Sequence, residues 1–197
     1  MNRDAPAFRQ MADAGLLEAA AAGEHAAFAE IVHRHYQPVY RLVWRMTGGA
    51  ADAEDLAQEA FLKLWKSPAQ VREAGALRGW LMRVASNAVI DRSRRPRPQG
   101  LEEASEPADD QARPDAPLDR LQAARLVDGR IAALPERQRL ALTLVYFEGL
   151  SNIEAAQVME VSVDALESLL ARARRSLKES LSAEWRELIG GLTETGH

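Results

Sequence analysis

The sequence predicts an all-α protein made of two small helical domains joined by a flexible linker. Apolar residues recur at helical spacing along most of the chain, and valine and isoleucine never form the alternating runs typical of strands. The pattern stops between residues 96 and 117, a segment with five prolines, one glycine and few apolar residues. An acidic, Pro-rich segment of this kind cannot bury enough surface to fold by itself, so it is predicted to be the linker.

Four helices are predicted in the first unit. They cover roughly Asp13–Ala22, Glu24–Thr47, Asp52–Lys66 and Leu77–Arg94. On the second helix, Pro38 is expected to cause a kink or loosen one turn. The third helix has acidic residues in its first turn and lysines at its end, which complements the helix dipole.

The second unit is predicted to begin near Leu118 with a helix that carries Leu121, Leu126 and Ile131. Another helix opens at Pro135 and carries Leu140, Leu144 and Phe147. A helix-turn-helix then follows, and its last helix is expected to run to about Ile189.

Two caps define the helix-turn-helix. Ser151 lies three residues before Glu154, which is the capping-box pattern. Ser162 is predicted to cap the next helix, with Asp164 in its first turn. The second helix of such a unit usually enters the DNA major groove, and a plain helical hairpin is the alternative. The residues expected to pack inside this unit are Ala155, Val158, Val161, Leu166, Leu170, Ala173 and Leu177.

The composition limits the possible functions. The chain has no cysteine, which excludes disulfides and thiolate metal sites. It has no apolar run of about 18 residues and no signal-peptide pattern, so a cytoplasmic protein is expected. No catalytic motif is present, and His33 and His35 point to different sides of their helix. We therefore expect no enzymatic activity, no cofactor, no metal and no small-molecule substrate.

The charge distribution favours nucleic-acid binding, although the formal net charge is −4. Residues 28–95 contain eleven Lys and Arg against seven Asp and Glu, a net charge of +4. Residues 96–119 contain two basic and seven acidic residues, a net charge of −5. Local charge decides where phosphates bind, so the first unit is the better candidate.

The fourth and third helices carry the candidate binding faces. On the fourth, Trp80, Arg83 and Asn87 recur at helical steps, a set that can stack on an opened base, hold phosphate and read a base edge. The alternative is that Trp80 belongs to the core. On the third, Leu56, Ala60, Phe61 and Leu64 are expected to face the core, whereas Glu54, Asp55, Gln58, Leu62 and Trp65 lie on other faces. That arrangement suggests docking to a protein, and a simple amphipathic core helix is the alternative.

The order of these motifs resembles bacterial sigma factors of the extracytoplasmic-function (ECF) type. The quoted motifs are Asp-Leu-x-Gln-Glu-x-Phe, Trp-Leu-x-Arg-x-Ala-x-Asn with trailing arginines, Leu-Pro-Glu-Arg-Gln-Arg, and Tyr-Phe-Glu-Gly-Leu-Ser before the helix-turn-helix. The resemblance covers roughly Glu24 to Ser182. It implies a sigma region 2 bundle and a region 4 helix-turn-helix. The expected segments are an N-terminal extension with a short helix (1–23), region 2 (24–95), the linker (96–117), region 4 (118–183) and a C-terminal tail (184–197).

The resemblance also implies roles for individual residues. Those that would bind core RNA polymerase are Asp55, Leu56, Gln58, Glu59, Phe61 and Trp65. Those that would bind the −10 promoter element are Trp80, Arg83, Asn87, Arg92, Arg94 and Arg95, with the loop from Ser67 to Ala76 capturing a flipped base. Those that would bind the −35 element are Ser162, Asp164, Ala165, Ser168, Arg172 and Arg175.

The recognition helix departs from the family in one respect, because Glu167 and Leu169 stand where many members have basic residues. Either this branch reads bases through Asp164, Ala165 and Ser168 differently, or its −35 contact is weak.

The implied function is that of an alternative sigma factor. It would direct core RNA polymerase to promoter DNA under the control of an anti-sigma factor, often membrane-tethered. One alternative is a sigma-like mimic that sequesters an anti-sigma protein, which would bind that protein tightly without affinity for polymerase. Another is a dimeric helix-turn-helix regulator, which would need a stable dimer and a palindromic site.

Overall fold

The computed structural model describes residues 8–49, 52–71, 76–94 and 126–194, with side chains of the last range through residue 182. The prediction of an all-α fold is confirmed, and the described ranges contain no strand. The first half contains α1 (Asp13–Ala21), α2 (His25–Thr47), α3 (Ala53–Lys66) and α4 (Leu77–Ser93). The predicted linker lies outside the described residues.

Helix α2 is the central element of the first half. Its buried face includes Ile31, Val39 and Leu42, and it packs against α1, α3 and α4. Pro38 lies within this helix, which continues past it to Thr47. The helix ends at Gly48, whose φ of 69° is in the left-handed region that glycine adopts without strain.

Arg34 attaches the N-terminal segment to α2. Its guanidinium donates to the main-chain carbonyls of Phe8, Arg9 and Met11 at 2.8–3.0 Å. The same group forms ion pairs with Asp13 at 3.0 Å and Glu30 at 2.8 Å, and the Glu30 hydrogen bond raises the pKa of Arg34. One side chain therefore satisfies carbonyls that α1 and the turn before it leave unpaired.

We expect Arg34→Lys to destabilise the fold by about 2 kcal/mol, because an ammonium cannot reproduce the forked set of hydrogen bonds. Amide hydrogen exchange should accelerate mainly in residues 8–21. The control is Arg9→Lys, because the Arg9 side chain is exposed and only its carbonyl contacts Arg34. Unchanged exchange in residues 8–21 of the Arg34 variant would contradict this role.

The second half consists of helical residues 126–132, α5 (Glu136–Leu142), a π-helical turn (Thr143–Phe147), α6 (Asn152–Met159) and α7 (Val163–Glu194). Helix α7 extends past Ile189, where the sequence predicted its end. Helix α5 packs along α7, and α6 crosses between α7 and α4.

The two halves share one hydrophobic core. The buried cluster that contains Leu42 and Leu81 of the first half continues into Leu144, Leu150 and Leu166 of the second half. A smaller cluster around Ile131, Leu142 and Ala173 lies within the second half. The halves are thus in direct contact through α4 and α6, and this contact covers part of the predicted DNA-binding surface.

Candidate functional site

The helix-turn-helix has the caps that the sequence predicts. The Ser151 hydroxyl accepts a hydrogen bond from the backbone N–H of Glu154, and the Glu154 carboxylate accepts one from the backbone N–H of Ser151 at 2.8 Å. At the start of α7, the backbone N–H of Ala165 donates to the Ser162 hydroxyl at 3.2 Å. Between α6 and α7, Glu160 adopts a left-handed conformation with a φ of 53°. These features fix the angle between the two helices.

The capping box makes a prediction about pH. Hydrogen bonds from the Ser151 hydroxyl and then from its backbone N–H lower the pKa of Glu154. Because the pKa is lower in the folded chain, the stabilisation is complete above the ordinary carboxyl range and disappears as the pH falls through the folded pKa. We expect Glu154→Ala to lower the free energy of unfolding by about 0.5–1 kcal/mol at neutral pH and by less in acid.

Urea unfolding at a series of pH values measures this difference. Glu179→Ala, at an exposed position of α7, is the matched control and should show little pH dependence. A Glu154 effect of the same size at neutral and acidic pH would contradict the assignment.

The predicted −35 residues form one exposed face at the start of α7. Ser162, Asp164, Ala165, Ser168, Arg172 and Arg175 are all exposed. Leu169 is half-buried and packs on the core, so it does not belong to this face. Glu167 is exposed and accepts a hydrogen bond from Asn152 of α6 at 3.2 Å. The two unusual residues of the recognition helix therefore have structural contacts within the second half.

A largely apolar groove of about 440 Å³ lies between α2 and α3. Leu62 and Trp65 of α3 form one side, with exposed fractions of 55% and 40%. The Trp65 ring meets the rings of Phe28 and His25 edge to face, with centroid distances of 4.7 and 5.1 Å. Burial, followed by the negative charge of Glu54, raises the pKa of Tyr36 in this groove. The Tyr36 phenol is therefore uncharged at neutral pH.

The groove brings together only some of the predicted polymerase-binding residues. Gln58, Phe61 and Trp65 line it, while Asp55 and Glu59 are exposed on the same helix. Leu56 and Phe61 are only 6% and 5% exposed, so both also belong to the core. The sequence analysis did not assign the groove residues of α2, although their spacing of four is visible in the sequence: Phe28, Val32 and Tyr36.

The predicted −10 residues differ in how they are placed along α4. Trp80 is 6% exposed, which is the core position that the sequence left open as an alternative. Asn87 and Arg94 are exposed, and Arg83 is half-buried and paired with Glu160. Arg92 is exposed but forms an ion pair with Asp52. Arg95 and residues 72–75 of the predicted base-capturing loop lie outside the described residues.

Other kinds of site find no support in the described ranges. No cluster of three or more His, Asp or Glu side chains in them is placed to bind a metal ion. A separate search of those ranges finds no helix with the length and apolarity needed to cross a membrane.

The fold and these surfaces correspond to known sequence families. Residues 31–98 match the family described as Sigma-70 region 2, and residues 124–177 match that described as Sigma-70, region 4. Both stretches fall in the halves that carry the groove and the helix-turn-helix. They define a protein of the sigma-70 class with its regions 2 and 4.

Similar proteins narrow the class. The RNA polymerase sigma-H factor of Pseudomonas aeruginosa is 32% identical over 189 residues, which cover 90% of this chain and 98% of that protein. The ECF RNA polymerase sigma factor SigM of Mycobacterium tuberculosis is 31% identical over 182 residues, which cover 87% of this chain and 86% of that one. The solved structure of CnrH in complex with the cytosolic domain of CnrY superimposes with a TM-score of 0.66 at 28% identity, covering 88% of this chain and 99% of CnrH. The chain belongs to the ECF family of RNA polymerase sigma factors.

Proposed function

We propose that this alternative sigma factor binds core RNA polymerase through the groove between α2 and α3. The observation that carries the proposal is the exposure of Leu62 and Trp65 beside an open apolar groove. Asp55, Gln58 and Glu59 are exposed along the same helix. An apolar centre with a polar rim is typical of a surface that docks another protein.

The sigma factor would read its promoters at two places. The exposed start of α7 would contact the −35 element through Ser162, Asp164, Ala165 and Ser168, with Arg172 and Arg175 on the phosphates. Helix α4 would contact the −10 element through Trp80, Arg83 and Asn87, followed by the arginines at its end. This division of roles is supported by the exposure of all six −35 residues and by the positive charge of residues 28–95.

A protein partner would control this activity. The similar protein CnrH is found in complex with the cytosolic domain of CnrY, which supports a cognate anti-sigma factor, often membrane-tethered, for this chain. The chain would act in the cytoplasm, without a cofactor or an activity of its own as an enzyme, because polymerase performs the chemistry.

Run-off transcription tests the function. Purified chain and core RNA polymerase are incubated with a library of fragments of the source genome, and the 5′ ends of the transcripts are sequenced. We expect starts that depend on the chain and lie downstream of a shared pair of sequence elements. Transcription no greater than that of core polymerase alone, over the whole library, would refute the function.

A further inference from the structure

The second half covers the face of α4 that the −10 element would need. Helix α6 packs on α4, and a Cβ atom built at Gly79 would lie 3.8 Å from Val158 Cγ2. Trp80, the neighbour of Gly79, is buried in the core that both halves share. An indole in that position cannot stack on an unpaired base.

Charged contacts hold the same interface. Arg83 Nη1 lies 3.0 Å from Glu160 Oε1, at the turn between α6 and α7. The exposed fractions of these two side chains are 37% and 66%, so the pair is in contact with solvent and open to competition. At the end of α4, the Ser93 hydroxyl donates to Glu136 Oε1 at 2.8 Å.

Glu148 is the most enclosed of the acidic residues at this interface. Its side chain is fully buried, with Oε2 at 3.4 Å from Arg41 Nη2 and 4.0 Å from Arg78 Nη2. Arg78 also donates to the main-chain carbonyl of Glu148. The Arg45 guanidinium lies over the ring of Phe147, 4.1 Å from its centroid.

These contacts share one arrangement. Arginines of the basic first half bind a short segment immediately before the helix-turn-helix, and Arg83 binds its turn. The arginines that are held in this way would otherwise be available to promoter phosphates. The groove is lined only by α2 and α3, so the second half leaves it open.

We infer that this interface is an autoinhibitory contact: carboxylates of the second half engage the arginines of the first half, and the halves must separate before α4 can bind promoter DNA. The inference rests on the proposed function and concerns the regulation of its −10 surface. Because the groove stays open, polymerase can dock on the first half before the separation. DNA phosphates then compete with Glu160 for Arg83, and release of α6 exposes Trp80.

A reversible lock tests the inference. The chain has no cysteine, so Gly79→Cys with Val158→Cys creates a single thiol pair across the interface, close to the separation that a disulfide requires. Oxidised glutathione should form the disulfide in the folded chain, which a faster band on a non-reducing gel detects. Each single-cysteine variant is a control that cannot form the internal crosslink.

We expect the oxidised double variant, with core polymerase and the genomic library, to form promoter complexes at least about tenfold less well than the reduced form, because the locked chain lacks the open population. Dithiothreitol should restore the activity. Equal activity of the oxidised and reduced forms would overturn the inference, as would failure of the folded chain to crosslink. Inactivity of the reduced form alone would count against the proposed function and leave the crosslinking result intact as a test of the closed arrangement.

Charge variants give a second readout that needs no polymerase. Glu148→Gln with Glu160→Gln, in the double-cysteine background, should crosslink about fivefold more slowly because two attractive contacts are lost. Glu179→Gln, an exposed position of α7, should crosslink at the parent rate. An unchanged rate in the Glu148 and Glu160 variant would show that these carboxylates do not hold the halves together.

Discussion

Trp65→Ala is expected to weaken the binding of core RNA polymerase by about 30-fold, because an aromatic anchor at the centre of an interface typically contributes about 2 kcal/mol or more. Trp65 is 40% exposed and is held by edge contacts with Phe28 and His25, so its ring is already positioned for a partner. Titration of labelled core polymerase with the chain measures the affinity. Thermal unfolding should change little, since the indole is only partly covered in the free chain.

Two other substitutions on α3 sharpen that test. Lys63→Ala is the matched control, because Lys63 is exposed on the same helix but does not line the groove. Asp55→Ala should reduce the affinity without loss of stability, because Asp55 is exposed. Phe61→Ala is a poorer test, since Phe61 is 5% exposed and its removal would also open a core cavity. Equal affinities of the Trp65 and Lys63 variants would contradict the groove as the polymerase site.

Leu144→Ala is expected to lower the free energy of unfolding by about 3 kcal/mol, because it removes buried methyl groups and leaves a cavity. Leu144 is fully buried in the π-helical turn and belongs to the same core cluster as Leu81 of α4. Such a loss is a large share of the stability of a domain of this size. Urea unfolding followed by far-UV circular dichroism measures it.

The same variant also tests the contact between the halves. Because the core is shared, hydrogen exchange should accelerate in α4 of the first half as well as in the second half. Ile153→Ala is the control, since Ile153 is 63% exposed and its loss should change stability by no more than about 0.5 kcal/mol. Faster exchange confined to the second half would contradict the shared core.

Local structure was the part most accessible to sequence reasoning. The pattern of apolar residues and caps predicted α3 from Asp52 to Lys66, and the helix covers Ala53–Lys66. The Ser151 and Glu154 capping box forms as predicted. Both outcomes depend on interactions within one or two helical turns, for which residue spacing is sufficient.

The candidate surfaces were only partly accessible. Helical spacing placed Leu62 and Trp65 away from the core, and both are exposed. It could not show that Phe28 and Tyr36 of α2 complete the groove, because that depends on how α2 and α3 pack. It also left open whether Trp80 faces solvent or the core, since the second half that covers it lies about 70 residues further along the sequence.

By itself, the sequence determined the all-α fold, the helix boundaries, the caps and the ECF resemblance, because these follow from local periodicity and from the order of short motifs. The tertiary structure alone decided which of the predicted residues are available to a partner. Glu148 and Arg78 are 70 positions apart, yet they meet at the interface. Contacts over such a separation depend on the burial of a core shared by the two halves, and no local pattern in the sequence specifies them.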